Sequence, residues 1–360
     1  MDIDMPDPKV DEVQIRTGIS VISAGTERWA VTNEFTWSET PFPCVPGYQR
    51  VGVITKLGSG VTGLQIGQRV LATNGAWEGG VRPFWGSHIA LANSPGQEVY
   101  PLSDHVDSVD AAGCVVAQVG YNAASRIRMQ MDDWVVVYGD GIIGQCAAQA
   151  ARARGARTIL VGHREERLRL AAGHCADFVI NRHHGNVIQT VSEITQRMQA
   201  TAVIDTVQNE RVQQEYTPLL EHAVGQVVYS GFTPGKTWAD MASLQQHEFT
   251  CHFVSGWNRS RIEWYWRTIS PSWALRSNGV KTGYEYSYHG SLWIYWPKID
   301  SGTGTTRAFP ATARQTAATR GNDVRTGIAG EGVCSLRNSV VVPAGRYHGR
   351  CGDGKRSGWC

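Results

Sequence analysis

Six consecutive residues are the best placed to do chemistry. Gly139-Asp140-Gly141-Ile142-Ile143-Gly144 directly follows an apolar run, Trp134 to Tyr138, and opens a helical stretch. That placement suits a pyrophosphate. Gly139 permits the tight turn, Gly141 lets the backbone approach an anion, and Gly144 lets helix and strand pack closely. The free N–H groups of the helix end, at Ile142 and Ile143, face the charge. Glycine is common here, 40 of 360 residues, so the spacing alone is a weak signal. Between a strand and a helix, with further βα repeats behind it, the signal becomes specific.

The second strand bears on which dinucleotide. An NAD site places Asp or Glu about 20 residues beyond the fingerprint to accept from the ribose 2′-hydroxyl. Here the strand ends Leu160-Val161-Gly162-His163-Arg164. Gly162 leaves room where the acid would stand, and His163 and Arg164 offer positive donors to a 2′-phosphate. The cofactor expected is NADP(H). The competing reading makes Arg164 a solvated charge at a helix start.

Metal chemistry has little to work with. The eight cysteines are scattered at 44, 114, 146, 175, 251, 334, 351 and 360, without a Cys-x-x-Cys and without a His at zinc-ligand spacing. No metal is expected, and free thiols in ordinary structural positions are.

The elements that must hold these residues follow from periodicity. Residues 10–125 read as short β segments broken by Gly and Pro, with alternation at Val13 to Arg16, Val51 to Lys56 and Gln68 to Ala72. Residues 133–256 then alternate strand and helix. The strands are 134–138, 158–161, 177–180, 202–205 and 226–229, and the helices 143–154, 165–172, 187–198 and 211–220. Continuous apolar strands separated by helices mean a parallel sheet covered on both faces, a doubly wound α/β domain.

Composition bounds the rest. The chain's 360 residues are long enough for two domains and, at 42% apolar, for a substantial core, while a net charge of +2 argues against nucleic-acid binding. The apolar runs are of strand length, so no membrane span is expected, and the acidic start lacks a signal-peptide core. A cytoplasmic location is the default. From Pro271 onward the character changes: 12 Lys and Arg stand against 5 Asp and Glu, and Leu, Ile, Val and Phe number 13 in 90 residues. A chain that poor in core formers struggles to fold. Residues 271–360 are expected to be an atypical, disordered basic tail. It reads either as an interaction tail or, preferred, as the product of a frameshift near residue 270.

The order of these pieces resembles the medium-chain dehydrogenase/reductase superfamily. The resemblance is carried by Ser23-Ala-Gly-Thr26-Glu27, Pro46-Gly47-Tyr48-Gln49-Arg50-Val51-Gly52, Gly58-Ser-Gly60-Val61, Gly67-Gln-Arg69-Val70, Gly120-Tyr121-Asn-Ala and the Gly139 fingerprint. The first two segments are most similar to the zinc-free branch containing 2-hydroxyethyl bacteriochlorophyllide dehydrogenase. The resemblance implies a GroES-like catalytic domain over residues 1–125, lacking its first strand, and a Rossmann NADP-binding domain over 126–270. It also implies that Val119, Thr206, Val207, Ser230, Gly231 and Phe232 border the nicotinamide half of the cofactor.

The departures from the pattern matter as much. Zinc-dependent relatives carry Cys where this chain has Ser23 and a His-Glu pair where it has Tyr48-Gln49, while Val115, beside Cys114, stands near their third ligand. A zinc ion needs three protein ligands and an open position, so zinc is not expected. Without a Lewis acid the alkoxide needs hydrogen-bond donors. Tyr48, Ser23 and Gln49 are the catalytic candidates, with Thr26 as a further donor and Glu27 as a relay or a charge near a turn. Trp29, Trp37, Trp77 and Trp85 line an apolar substrate pocket or belong to the core.

The function expected is an NADP(H)-dependent, zinc-independent oxidoreductase that passes hydride between nicotinamide and a carbonyl or alcohol. The alternatives are a quinone or enoyl reductase of the same superfamily and a nucleotide-binding or defective product without turnover. The expected partner is a small molecule, with a homodimer as an open option, and neither nucleic acid nor membrane.

Overall fold

The structure is a computed structural model that describes residues 2–104, 106–233 and 239–268, with four short strands beyond them at 287–289, 292–295, 306–307 and 341–343. The remaining expectations for residues 271–360 lie outside the described residues.

The first half is an antiparallel sheet of β1 (Glu12–Ile22), β2 (Arg50–Leu57), β3 (Arg69–Ala72), β4 (Leu91–Pro95) and β5 (Val99–Pro101). Strand β1 is its hub, pairing with both β2 and β4, while β3 joins β2 to β5. Two register shifts in the β1–β2 ladder bend β1. Val13 and Ile15 therefore pack with Ile54 and Val70, whereas Ile19 and Val21 join the core shared with the second half. Short helix α1 (Ala24–Val31) leaves the end of β1, and α2 (Cys114–Arg126) crosses the expected division at residue 125 to pack against the second half.

There, β6 (Trp134–Tyr138), α3 (Ile142–Ala153), β7 (Arg157–Gly162), α4 (Glu165–His174) and β8 (Phe178–Asn181) are followed by α5 (Val187–Ile194) and β9 (Ala202–Asp205). The run closes with α6 (Glu210–Tyr216), β10 (Gln226–Ser230), α7 (Met241–Gln246), β11 (Thr250–Val254) and α8 (Arg259–Thr268). These six strands pair in parallel, in the spatial order β11-β10-β9-β6-β7-β8, and the short strand Val341–Pro343 joins β8 antiparallel. Alternate residues of each strand serve opposite faces: Val135 and Val137 belong to one core, Trp134, Val136 and Tyr138 to the other. Burial on both faces explains why the strands read as unbroken apolar runs.

Two helices stop sooner than their periodicity predicts. The helix expected over 187–198 ends at Ile194, because Gln196 and Arg197 take left-handed φ values of 55° and 67°. The helix expected over 211–220 gives way at Thr217 to a 3₁₀ turn containing Pro218. Neither change touches the sheet that carries the fingerprint. Among the described residues no helix is long and apolar enough to cross a membrane.

Candidate active site

The order of strands reverses between β6 and β9, and such a switch point opens a crevice at the carboxyl ends of the strands. A cleft of about 970 Å³ lies there. It is lined by Gly139, Gly141, Ile142, Ile143, Gly162, His163, Arg164, Thr206, Val207, Ser230, Gly231, Phe232 and Ser23, and so gathers most of the residues expected from sequence. Gly144, Val119, Tyr48 and Gln49 are not on its wall.

The glycine turn divides its labour. Gly139 has φ +113°, and a Cβ there would lie 2.1 Å from Thr206 Oγ1, a hydroxyl that donates to the Tyr138 carbonyl at 2.7 Å. Gly144 lies beneath the turn, where a Cβ would fall 1.9 Å from the Gly139 carbonyl oxygen, so its role is helix–strand contact. Gly141 is different: it has an ordinary φ of −74°, and a Cβ would meet nothing within 4 Å. It caps α3 without a side-chain partner. The first-turn N–H groups are left to face the cleft, as an anion site requires.

At the far end of the cleft the structure adds a residue that sequence reasoning overlooked. Asp140 is 2% exposed, and its Oδ2 accepts from the backbone N–H of His163 at 2.8 Å and of Arg164 at 2.7 Å. Its Oδ1 lies 3.5 Å from the Arg164 guanidinium and 3.6 Å from that of Arg167. Gly162 does leave room, and the Asp140 side chain takes it: a Cβ at 162 would fall 2.6 Å from the Asp140 Cβ. Arg164 stays half-exposed on the cleft wall with Arg167 and Arg182, the last paired with Glu215 at 3.3 Å. The signal was visible as an acid between the first two glycines, but its partners lie in the turn after β7 and on α4.

The hydroxyl candidates gather at the opposite end. Ser23 and Thr26, at the start of α1, line the cleft, their hydroxyls 3.5 Å apart. The Tyr48 phenol bonds to both from behind, with its ring stacked on Trp257 at 5.5 Å and edge-on to Trp85. Burial pushes this phenol up to about 12, against the pull of the Ser23 and Thr26 bonds and with Glu27 adding to the rise. Burial therefore holds its proton more tightly than a free phenol does.

Gln49 is fully buried. It accepts from the Val116 N–H at 3.2 Å and donates to the Val21 carbonyl at 3.3 Å, tying β1 to α2. Glu27 is buried as well: Oε1 accepts from the Ser23 N–H at 2.7 Å, and Oε2 pairs with His88 Nε2 at 2.8 Å. This is a capping arrangement that fixes the start of α1.

The tryptophans separate. Trp29 lines the cleft, Trp37 is half-exposed against Phe35, Phe84 and Phe232, and Trp77 donates to the Val81 carbonyl in a separate small core. Trp85 holds φ +68°, a strained value for a bulky residue, at the junction of this aromatic group with Tyr48.

Two family descriptions match this architecture half by half. Residues 10–104 match the alcohol dehydrogenase GroES-like domain, and residues 143–270 match the zinc-binding dehydrogenase domain. The chain belongs to the medium-chain dehydrogenase/reductase superfamily. An alcohol dehydrogenase of Geobacillus stearothermophilus is 28% identical over 188 residues, 46% of this chain and 56% of the relative. The chain thus spans about half the length of the curated relatives it matches. Among solved structures, an NAD-dependent alcohol dehydrogenase superposes with a TM-score of 0.65 at 19% identity, over 76% of this chain and 85% of the other. A protein of Sinorhizobium meliloti 1021 described as a zinc-binding dehydrogenase, with NADP bound, gives 0.64 at 19% identity, over 74% and 84%. Both dinucleotides occur among these neighbours, so the fold by itself does not choose between them.

Zinc, which the second family description names, can be tested against the medium-chain donor set. Ser23, Tyr48 and Gln49 offer hydroxyls and an amide, and the adjoining Cys114 thiol is fully buried. Burial raises that thiol strongly, which disfavours the thiolate that a metal needs. Among the described residues no three His, Cys, Asp or Glu side chains are grouped to hold a metal ion. The residues present do not fit a zinc site.

Proposed function

We propose that the chain is an NADP(H)-dependent, zinc-independent oxidoreductase acting on a carbonyl or alcohol substrate. The observation that carries this reading is the cleft's adenosine end. The acid nearest to it, Asp140, is sealed off with its oxygens already engaged by N–H and guanidinium groups. Arg164, on the cleft wall beside Arg167 and Arg182, faces the cleft instead. A ribose 2′-hydroxyl would find no free carboxylate there, whereas a 2′-phosphate would find guanidinium groups.

In this reading the first turn of α3 and the open side of Gly141 hold the diphosphate, and Arg164, with His163, holds the 2′-phosphate. Thr206, Val207, Ser230, Gly231 and Phe232 border the nicotinamide half. When bound, the dinucleotide supplies or accepts hydride. Ser23 and Thr26 donate hydrogen bonds to the substrate oxygen and lower the cost of its developing charge. Tyr48 orders those two hydroxyls from behind, and Glu27 fixes the backbone that carries them.

Mixing the protein and NADPH with aldehydes, ketones, quinones and enones, and following the nicotinamide absorbance, tests the reading. NADPH consumption with an aldehyde or ketone, unaffected by a zinc chelator, is expected. Consumption with quinones or enones alone would favour a quinone or enoyl reductase. Loss of activity on chelation would refute zinc independence.

A further inference from the structure

We propose that Asp140 and Gly162 form a single element that sets dinucleotide choice, with Asp140 as a positioning residue that acts through Arg164 and does not touch the cofactor. The proposal rests on the NADP(H) reading and extends it to a residue that lies within the glycine turn. An acid in that turn looks unfavourable to a phosphate, since like charges repel. Its surroundings reverse the expectation.

The Asp140 carboxylate is 2% exposed and occupies the volume beside Gly162, where a Cβ would fall 2.6 Å from Asp140 Cβ, 2.8 Å from its Oδ2 and 2.9 Å from Leu168 Cδ2. Two backbone N–H bonds, from His163 at 2.8 Å and Arg164 at 2.7 Å, fix the turn that aims the Arg164 side chain. The same carboxylate lies 3.5 Å and 3.6 Å from the guanidinium groups of Arg164 and Arg167. It therefore restrains these cations while remaining closed to ribose hydroxyls.

The two positions are coupled. An acid at 162, the side chain that would bind a ribose diol, collides with Asp140 and adds a second carboxylate beside it. The chain can present a sealed acid at 140 with cations at the cleft, or an open acid at 162, but not both without displacement. Asp140 thereby excludes the NAD arrangement sterically and electrostatically while it organises the NADP arrangement.

The test is a double-variant cycle. NADPH and NADH are titrated separately into wild type, Asp140→Gly, Gly162→Asp and the double variant, and each protein is also melted. Gly162→Asp is expected to melt below wild type and to bind both dinucleotides more weakly. Adding Asp140→Gly to it should recover the melting temperature and lower the NADPH-to-NADH affinity ratio by at least about tenfold relative to wild type, the scale of one charge-assisted contact. Asp140→Gly alone should weaken NADPH and spare NADH. A Gly162→Asp protein that melts like wild type, or a double variant with the wild-type affinity ratio, overturns the proposal while leaving a wild-type preference for NADPH intact. A wild type that prefers NADH removes the cofactor reading itself, and the proposal with it.

Discussion

Asp205 ends β9 at the switch point, fully buried, with Oδ1 accepting from the N–H groups of Val207 and Gln208 at 2.8 Å each. Burial pushes its carboxyl up from 3.8 to about 6, against the pull of those two N–H groups and of Tyr216. The sign follows from linkage. The unfolded chain gives up this proton at lower pH than the native one, so the native state loses stability as pH rises from 3.8 to about 6, and the loss is complete above that. Asp205→Asn keeps the acceptor for both N–H groups and removes the ionisation. It should be more stable than wild type at neutral pH by up to about 3 kcal/mol of unfolding free energy, with the gain fading as pH falls towards 4. A constant gain across that range would show that ionisation of Asp205 is not its cause. Asp205 carried no sequence signal beyond its place at the end of an apolar run. The Asp140 signal, an acid inside the fingerprint, was in plain view, but its meaning depends on a turn more than twenty residues further on.

At the scale of elements, the glycine turn and helix α3 make separable demands. Gly139 has a left-handed φ and sits against Thr206, so Gly139→Ala should lower the melting temperature as well as dinucleotide affinity. Gly141 has an ordinary φ and an open side, so Gly141→Ala should fold normally and lose affinity alone, because its methyl group enters the space a diphosphate needs. Thermal melting beside nucleotide titration checks both, and a Gly141→Ala protein that binds like wild type would place the anion elsewhere. These elements were legible because their determinants are local: apolar runs, a fingerprint and the 3.6-residue period. Helix ends were less so, since neither Gln196 nor Arg197 is a residue type that announces its left-handed φ. Strand β11 went unassigned as well. Thr250 to Val254 is a half-exposed edge, with Phe253 turned outward, and lacks the unbroken apolar character of the central strands.

Across the whole molecule the cleft is built by both halves, and this is where sequence reasoning reached least. The residue types alone make Tyr48 and Gln49 catalytic candidates, but neither lines the cleft. Tyr48 is instead clamped by Trp257, some two hundred residues away in the chain, and Gln49 is spent on joining β1 to α2. Phe232, at the end of the parallel sheet, reaches Phe35 and Trp37 of the first half with ring centroids 6.2 and 6.4 Å away. Arg259 on α8 donates to the Gln97 and Val99 carbonyls and lies over the Tyr100 ring. Such contacts join residues far apart in sequence and set which side chains reach the cleft.

The cofactor assignment requires a dinucleotide carrying a 2′-phosphate at the cationic end of that cleft. Equilibrium titration of wild type and Arg164→Ala with NADPH and with NADH measures it directly. Wild type should bind NADPH the more tightly, and Arg164→Ala should lose about tenfold or more for NADPH with little change for NADH. Equal losses for both nucleotides, or no complex with either, would contradict the assignment.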